Sequence, residues 1–280
     1  MNTHFRTLGP REAQLVLTLS EQGRHMVTAA EAIELLGSKG SARNVIQGLV
    51  QKGWLTRLVG GRYLFLPPER GPENLGENNA LALASAVVET SYVGWWAAAA
   101  FHGLTTQKPS TIAVAVLRQR ASREIEGTAM RFVKVTRRKF YGYQDFEVFG
   151  RTVQLSTVAK TIVDCVDRPD LCGGPSELAR IVFGSASQID PAALVEDTLR
   201  MQSTALAQRL GFLTDLVGWK LGDEPRARLR AAIPASARSH FGRAERRDGD
   251  LGYVHDWGVF VHVSRHDLLA DVPQITSAAA

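Results

Sequence analysis

The stretch that decides the fold is residues 28–66, TAAEAIELLGSKGSARNVIQGLVQKGWLTRLVGGRYLFL. Thr28 and Glu31 have the spacing of a capping box, so a short helix is predicted to begin there and to end at Gly37. After the turn at 37–40, residues 41–52 show helical periodicity and stop at Gly53. Two helices joined by a short glycine-containing turn predict a helix-turn-helix.

The segments on either side complete this unit. Upstream, residues 11–22 follow a Gly-Pro pair and predict a first helix. Downstream, 54–59 and 62–66 predict a β-hairpin with a two-residue turn at Gly60 and Gly61. That register puts Arg57 and Arg62 on one face, and we expect the opposite face to pack against the helices through Trp54, Leu58, Tyr63 and Phe65. Residues 1–66 are therefore predicted to be a winged helix-turn-helix domain that binds double-stranded DNA.

The helix predicted at 41–52 has one polar face without acidic residues. One arc of the helical wheel is apolar, and the other carries one Arg, an Asn and two Gln around Gly48. Arg, Asn and Gln can make paired hydrogen bonds to base edges in the major groove. An ordinary solvated helix face is the alternative, although such faces usually mix Glu with Lys. The predicted DNA contacts of the domain are Lys39, Ser41, Arg43, Asn44, Gln47, Gln51, Arg57 and Arg62.

The distribution of charge agrees with this interpretation. Residues 1–66 contain eight basic and four acidic side chains, so they hold +4 of the net +5 of the 280-residue chain. Concentrated positive charge is expected of a segment that faces a polyanion.

The remaining sequence predicts a larger domain of mixed α+β class. Residues 67–76 are rich in Pro, Gly and Glu and are predicted to be a linker, and 77–280 form the second domain. No glycine-rich phosphate loop or dinucleotide fingerprint occurs. Predicted helices are 77–90, 94–102, 157–166, 176–183, 191–198 and 204–221, and predicted strands are 110–117, 130–136, 146–154 and 259–263.

Residues with catalytic potential are sparse in this second domain. Lys160, Asp164 and Asp167 resemble a fragment of a metal-dependent nuclease site, but Lys160 and Asp164 also form an ordinary i, i+4 helix pair. His255, His262 and His266 have an open spacing that is weak evidence for zinc. We therefore expect no catalytic residue, no cofactor and no metal.

One basic cluster in the second domain is a candidate for a secondary nucleic-acid contact. It consists of Arg137, Arg138 and Lys139, with Tyr141 and Tyr143 beside it. A solvated turn is the alternative. The basic residues Arg243, Arg246 and Arg247 allow the same two interpretations.

The cysteine content and the apolar segments bear on the compartment. Cys165 and Cys172 are too few for a disulfide framework. The most apolar region, 80–101, is interrupted by polar residues, and the N-terminus lacks a signal pattern. A cytoplasmic protein without membrane association is expected.

Several motifs resemble the AbiEi family of antitoxins. They are 41–55 (SARNVIQGLVQKGWL), 60–67 (GGRYLFLP), 92–104 (YVGWWAAAAFHGL), 153–164 (VQLSTVAKTIVD) and Trp257. The resemblance implies a bacterial type IV toxin–antitoxin operon. It implies that the winged helix represses that operon by binding inverted repeats in the promoter, and that the second domain counteracts an AbiEii-like nucleotidyltransferase toxin. It assigns no catalytic residue.

Three other functions compete with this one. A one-component regulator would bind a small molecule in its second domain and change its DNA affinity. A nuclease would use the Asp164 and Asp167 carboxylates. An architectural DNA binder would lack sequence preference, which the amide-rich helix face disfavours.

Overall fold

A computed structural model describes residues 7–66 and 79–273. The predicted linker, 67–76, lies outside the described residues. The first unit contains three helices and three strands, which are α1 (Pro10–Glu21), β1 (Met26–Thr28), α2 (Ala29–Leu36), α3 (Lys39–Gln51), β2 (Leu55–Arg57) and β3 (Arg62–Phe65).

Local sequence signals set the ends of α2 and α3. The Thr28 hydroxyl accepts the Glu31 amide, and the Glu31 carboxylate accepts the Thr28 amide, so the predicted capping box is confirmed. Gly37 ends α2 in the left-handed conformation, with φ of 76°. The Ser38 hydroxyl caps α3, which therefore begins at Lys39, two residues earlier than predicted, and leaves a shorter turn.

The register of the β2–β3 hairpin differs from the prediction by one residue. Arg57 pairs with Tyr63, and the Leu58 amide donates to the Arg62 carbonyl, so the connection has three residues instead of two. Because alternate residues of a strand point to opposite faces, this shift separates the two arginines. The expectation that Arg57 and Arg62 share a face is wrong.

Burial of both faces of the hairpin explains that register. Leu55, Tyr63 and Phe65 pack in the first core with the helices. On the other face, Leu58 and Leu64 join a second core that contains residues of α4 (Ala80–Val87) and of the large sheet. The sequence analysis expects Leu58 to pack against the helices, because in the predicted register it lies on the face opposite Arg57 and Arg62. That expectation is wrong, since Leu58 lies in the second core. The strand β1, which was not predicted, pairs with β3 and gives the order β1-β3-β2.

The second part contains a six-stranded mixed sheet with helices packed on it. The sheet is made of β4 (Ser91–Val93), β5 (Thr111–Val116), β6 (Arg123–Ile125), β7 (Thr128–Lys134), β8 (Tyr143–Val148) and β9 (Arg151–Ser156), in the order β6-β7-β5-β4-β9-β8. The predicted strand 146–154 is in fact a hairpin of two strands that turns at Phe149 and Gly150.

Helices and a small sheet follow. The helices are α5 (Trp95–Phe101), α6 (Val158–Asp167), α7 (Pro175–Ser185), α8 (Pro191–Arg200), α9 (Thr204–Leu216), α10 (Asp223–Ala231) and α11 (Arg265–Leu269). The sheet contains β10 (Ser239–Gly242), β11 (Gly252–Val254) and β12 (Val259–His262), in the order β10-β12-β11.

The α+β class of the whole chain is confirmed, with helices and several sheets of different size. Most predicted helices of the second part are present within a few residues, whereas β4, β6, β10, β11, α10 and α11 were not predicted. Within residues 7–66 and 79–273, no helix is long and apolar enough to cross a membrane.

Candidate nucleic-acid interface

The polar face of α3 is exposed to solvent, as the helical wheel predicts. Arg43, Asn44 and Gln47 are all exposed, while Val45, Ile46 and Leu49 are buried beneath them. The first turn of α3 contains no acidic residue. The helix therefore presents one Arg, one Asn and one Gln side chain on an exposed face that carries no carboxylate.

Five of the predicted contacts line one groove between α2, α3 and the hairpin. The groove has a volume of about 610 Å³, and apolar side chains such as Ile33, Ile46 and Tyr63 form its floor. Its polar lining is Lys39, Arg43, Gln47, Gln51 and Arg57. The structure thus brings these five side chains together, although they come from two elements separated by the turn at Gly53.

The other predicted contacts of α3 lie outside this groove. Asn44 is exposed on the same helix. The Ser41 hydroxyl lies near the start of α3 and accepts a hydrogen bond of 2.7 Å from Arg11, which also donates to the Leu36 carbonyl. The sequence analysis missed Arg11, which ties α1 to the turn between α2 and α3.

A carboxylate on α1 holds α3 in place. The Glu12 side chain accepts from the Gly9 amide at 2.7 Å and from the Lys52 ammonium at 2.5 Å. Burial alone would raise the pKa of Glu12, but Lys52 and the Gly9 amide outweigh it and lower the pKa. A Cβ atom at Gly48 would lie 2.4 Å from a Glu12 oxygen. Gly48 therefore leaves room for the Glu12 carboxylate against α3, and it does not belong to the exposed polar face.

Arg57 and Arg62 have different environments. Arg57 is exposed, and its guanidinium contacts the Tyr63 hydroxyl at 3.4 Å in the groove. Arg62 is half-buried on the opposite face of the hairpin. Its burial lowers its pKa, an effect opposed by the nearby carboxylates of Glu89 and Glu31.

The three side chains of the secondary basic cluster have different surroundings. It forms a single 3-10 turn, Arg137–Lys139, in which Arg138 donates to Gln202 at 2.6 Å and Lys139 pairs with Asp167 at 2.5 Å. Of these three residues, only Arg137 lines a neighbouring cleft of about 520 Å³. Three further basic side chains, which the sequence analysis did not group with Arg137, also line that cleft: Arg118, Arg120 and Lys134. The Glu89 side chain lines it as well.

Two of the three residues that resemble a nuclease site, Lys160 and Asp164, form a buried ion pair. The Lys160 ammonium contacts the Asp164 carboxylate, which also accepts from the Tyr92 hydroxyl at 3.0 Å. Burial raises the pKa of Asp164 to about 6, against the opposing effect of Lys160 and Tyr92. Asp167 instead pairs with Lys139, so the two carboxylates do not share a ligand site. Among the described residues, no group of three His, Cys, Asp or Glu side chains could hold a metal ion.

Comparisons with known proteins found similarity to a family of antitoxins and to a solved structure. Residues 92–216 match a family model described as the AbiEi antitoxin C-terminal domain. No curated protein gave a significant match. The crystal structure of the Rv2827c protein from Mycobacterium tuberculosis matches with a TM-score of 0.66, 17% sequence identity and coverage of 95% of each chain.

The structural match covers almost the whole length of both chains. At this level of identity it shows similarity of fold alone. The family model is specific to the region that contains the large sheet and the helices packed on it. Residues 92–216 are therefore a domain of the AbiEi antitoxin C-terminal type.

Proposed function

We propose that the N-terminal unit is a winged helix-turn-helix domain that represses the chain's own operon, and that the chain is the antitoxin of a type IV toxin–antitoxin pair. The single observation that carries the DNA-binding part is the groove in which Arg43 and Gln47 of α3 lie beside Arg57 of the hairpin. The match of residues 92–216 to the AbiEi antitoxin C-terminal domain supports the antitoxin part and implies a nucleotidyltransferase toxin of the AbiEii kind.

In this proposal α3 enters the major groove of the promoter duplex. Arg43, Asn44 and Gln47 read base edges, because their side chains are exposed on one helix face and can form paired hydrogen bonds. Lys39 and Arg57 contact phosphates on either side of that face. Ser41, Gln51 and Arg62 complete the contact set, Arg62 from the other side of the hairpin.

Arg43 provides the test of this docking mode. The full chain is titrated into a labelled promoter duplex that carries inverted repeats, with a scrambled duplex as competitor. For Arg43→Ala we expect a loss of about 1–3 kcal/mol in binding to the promoter and a smaller loss for the scrambled duplex, because a base contact carries the specificity.

Arg230→Ala is the matched control, since it removes the same charge from an exposed site on α10. The control should leave both affinities unchanged. Wild-type affinity and selectivity of Arg43→Ala would refute the docking of α3.

The antitoxin part has a separate test in cells. An AbiEii-like nucleotidyltransferase toxin is expressed alone and together with the full chain, and growth is followed. We expect the chain to restore growth that the toxin arrests, and an Arg43→Ala chain expressed from an independent promoter to do the same. Absence of rescue by the wild-type chain would contradict the antitoxin role.

A further inference from the structure

The cleft that Arg137 lines lies at one end of the large sheet, where two parallel strands stop together. β5 and β7 pair in parallel up to Val116 and Lys134, which lie opposite each other in the last register position. Three chain segments surround the cleft, 88–90 before β4, 116–120 at the end of β5 and 134–137 at the end of β7. It shares no lining residue with the groove of α3. We call it the basic cleft.

The polar lining of the basic cleft consists almost entirely of hydrogen-bond donors. Among the described residues that line it, four cations and two hydroxyl groups face a single carboxylate, that of Glu89. Lysine and arginine only donate hydrogen bonds, and a hydroxyl group can donate one. A ligand that satisfies this lining is therefore rich in acceptor oxygens and negatively charged. The donors are Thr90, Arg118, Arg120, Lys134, Thr136 and Arg137.

The protein itself does not neutralise these cations. Within residues 7–66 and 79–273, none of the four forms an ion pair, whereas Arg168 pairs with Asp170 at 2.8 Å and Lys52 with Glu12 at 2.5 Å. Arg120 is half-buried, and its Nε atom is buried without a hydrogen-bond partner. Like charges in one cleft repel each other, and a buried donor without an acceptor is unfavourable. An anionic ligand in the cleft would relieve both.

The type and number of the charges favour linked phosphate groups. Three of the four cations are arginines, whose planar guanidinium groups match the oxygens of a phosphate with paired hydrogen bonds. Four positive charges and one negative charge leave a net charge of +3, whereas a single phosphate group carries only about −1.5 to −2. A diphosphate or triphosphate balances the cleft better.

The shape of the cleft favours a small ligand. Its volume of about 520 Å³ lies in the range of about 300–1,000 Å³ that is typical of small-molecule sites. A DNA duplex is a stiff rod whose phosphates lie along a convex surface, so several of them cannot enter one recess together. Apolar side chains complete the lining and can contact a less polar part of the ligand. They are Val88, Val116, Leu117 and Val135.

We propose that the basic cleft binds a small molecule with two or more linked phosphate groups, held by Arg118, Arg120 and Arg137. Nucleoside triphosphates and inorganic polyphosphates share this chemistry. The proposal does not depend on the docking of α3 on DNA, because the two sites have no residue in common.

The test is isothermal titration calorimetry of the full chain with inorganic tripolyphosphate, without divalent cations that would neutralise the ligand. We expect one molecule to bind per chain. Arg118→Gln and Arg137→Gln each remove a charge from an exposed side chain, so they leave the core intact. Each variant should bind roughly 10-fold more weakly or worse, as for a lost hydrogen bond between charged groups.

Two further variants separate a site from a general effect of charge. Glu89→Gln removes the carboxylate from the cleft and should bind tripolyphosphate roughly 2- to 5-fold more tightly, a gain that damage to the fold would not produce. Arg230→Gln is the matched control, because it removes a cation from an exposed position on α10, outside the cleft. The control should bind like the wild type.

Titration of ATP beside tripolyphosphate distinguishes the two sources of phosphate. Tighter binding of ATP would assign the cleft to a nucleotide, and binding that is equal or weaker would assign it to the inorganic chain. Arg43→Ala should bind tripolyphosphate like the wild type, so a failure of the α3 docking does not affect this result.

The proposal is wrong if the wild-type chain does not bind tripolyphosphate or ATP. It is also wrong if Arg118→Gln, Arg137→Gln and Arg230→Gln weaken binding equally, since net charge alone would then account for it. A third contrary result is loss of promoter binding by Arg118→Gln and Arg137→Gln without any binding of the small phosphates, which would assign the cleft to the DNA backbone.

Discussion

Two glycines of α3 have opposite surroundings although they lie in the same helix. Nothing lies within 4 Å of a Cβ atom added at Gly40, whereas one at Gly48 would lie 2.4 Å from the Glu12 carboxylate. Gly40→Ala should raise the free energy of unfolding by a few tenths to about 1 kcal/mol, because alanine restricts the unfolded chain and favours the helix.

Gly48→Ala should fail to show this gain and should lower stability by about 1 kcal/mol relative to Gly40→Ala. The added methyl group displaces the Glu12 carboxylate from the Gly9 amide and from Lys52, so a helix cap and an ion pair are lost. Urea denaturation of the two variants measures the difference. Equal stabilisation by both would contradict the contact of the Glu12 carboxylate with Gly48.

The buried carboxylate of Asp164 predicts a pH dependence of stability. Its pKa is about 6 in the folded protein and near 3.8 when exposed, so between these values the folded state holds more protons than the unfolded state. The contribution of Asp164 to stability is therefore fully present below the lower value and is lost as the pH rises through 6.

The isosteric Asp164→Asn variant removes this titration, together with the ion pair to Lys160. The stability difference between wild type and variant should shift against the wild type as the pH rises from about 4 to above 6. Thermal unfolding at several pH values measures the shift, and Asp190→Asn, which removes a carboxylate from an exposed helix cap, corrects for general effects of charge. A constant difference across this range would contradict the raised pKa.

At the scale of elements, the hairpin shows what the sequence could and could not predict. The helices around it were found because their caps are local: Thr28 with Glu31, Gly37 and Gly53 are signals within a few residues. The exposed face of α3 was found for the same reason, since helical periodicity is local. The hairpin register could not be predicted in this way, because it depends on a core that the hairpin forms with residues far away along the chain, such as Leu83 and Val87.

The corrected register changes what is expected of two arginines. Arg57→Ala should weaken binding to the promoter and to the scrambled duplex alike and should reduce the slope of log K against log salt by about 1, as for a lost phosphate contact. Arg62→Ala should have the smaller effect, because Arg62 lies on the other face, near Glu89 and Glu31. Salt titrations of both variants make the comparison. A larger loss for Arg62→Ala would mean that the face of Arg62, and not the groove, contacts DNA.

At the scale of the molecule, the hairpin belongs to two cores at once. One of its faces packs on α1, α2 and α3, and the other places Leu58, Leu64 and Leu66 in a cluster with α4 and the large sheet. The Thr56 hydroxyl also reaches the Glu126 carboxylate across the same boundary, at 3.4 Å. The N-terminal unit and the second part are therefore joined by packed side chains as well as by the chain between them.

This shared core predicts that the two units unfold together. Leu64 is almost fully buried in the shared cluster, so Leu64→Ala should lower the free energy of unfolding by about 2–5 kcal/mol. Calorimetry should show one transition for the wild type and one transition at a lower temperature for the variant. Leu17→Ala is the matched control, because Leu17 is 65% exposed on α1 and its loss should change the transition little. Two separate transitions in the wild type, only one of which responds to Leu64→Ala, would show that the units are independent and that the cluster does not couple them.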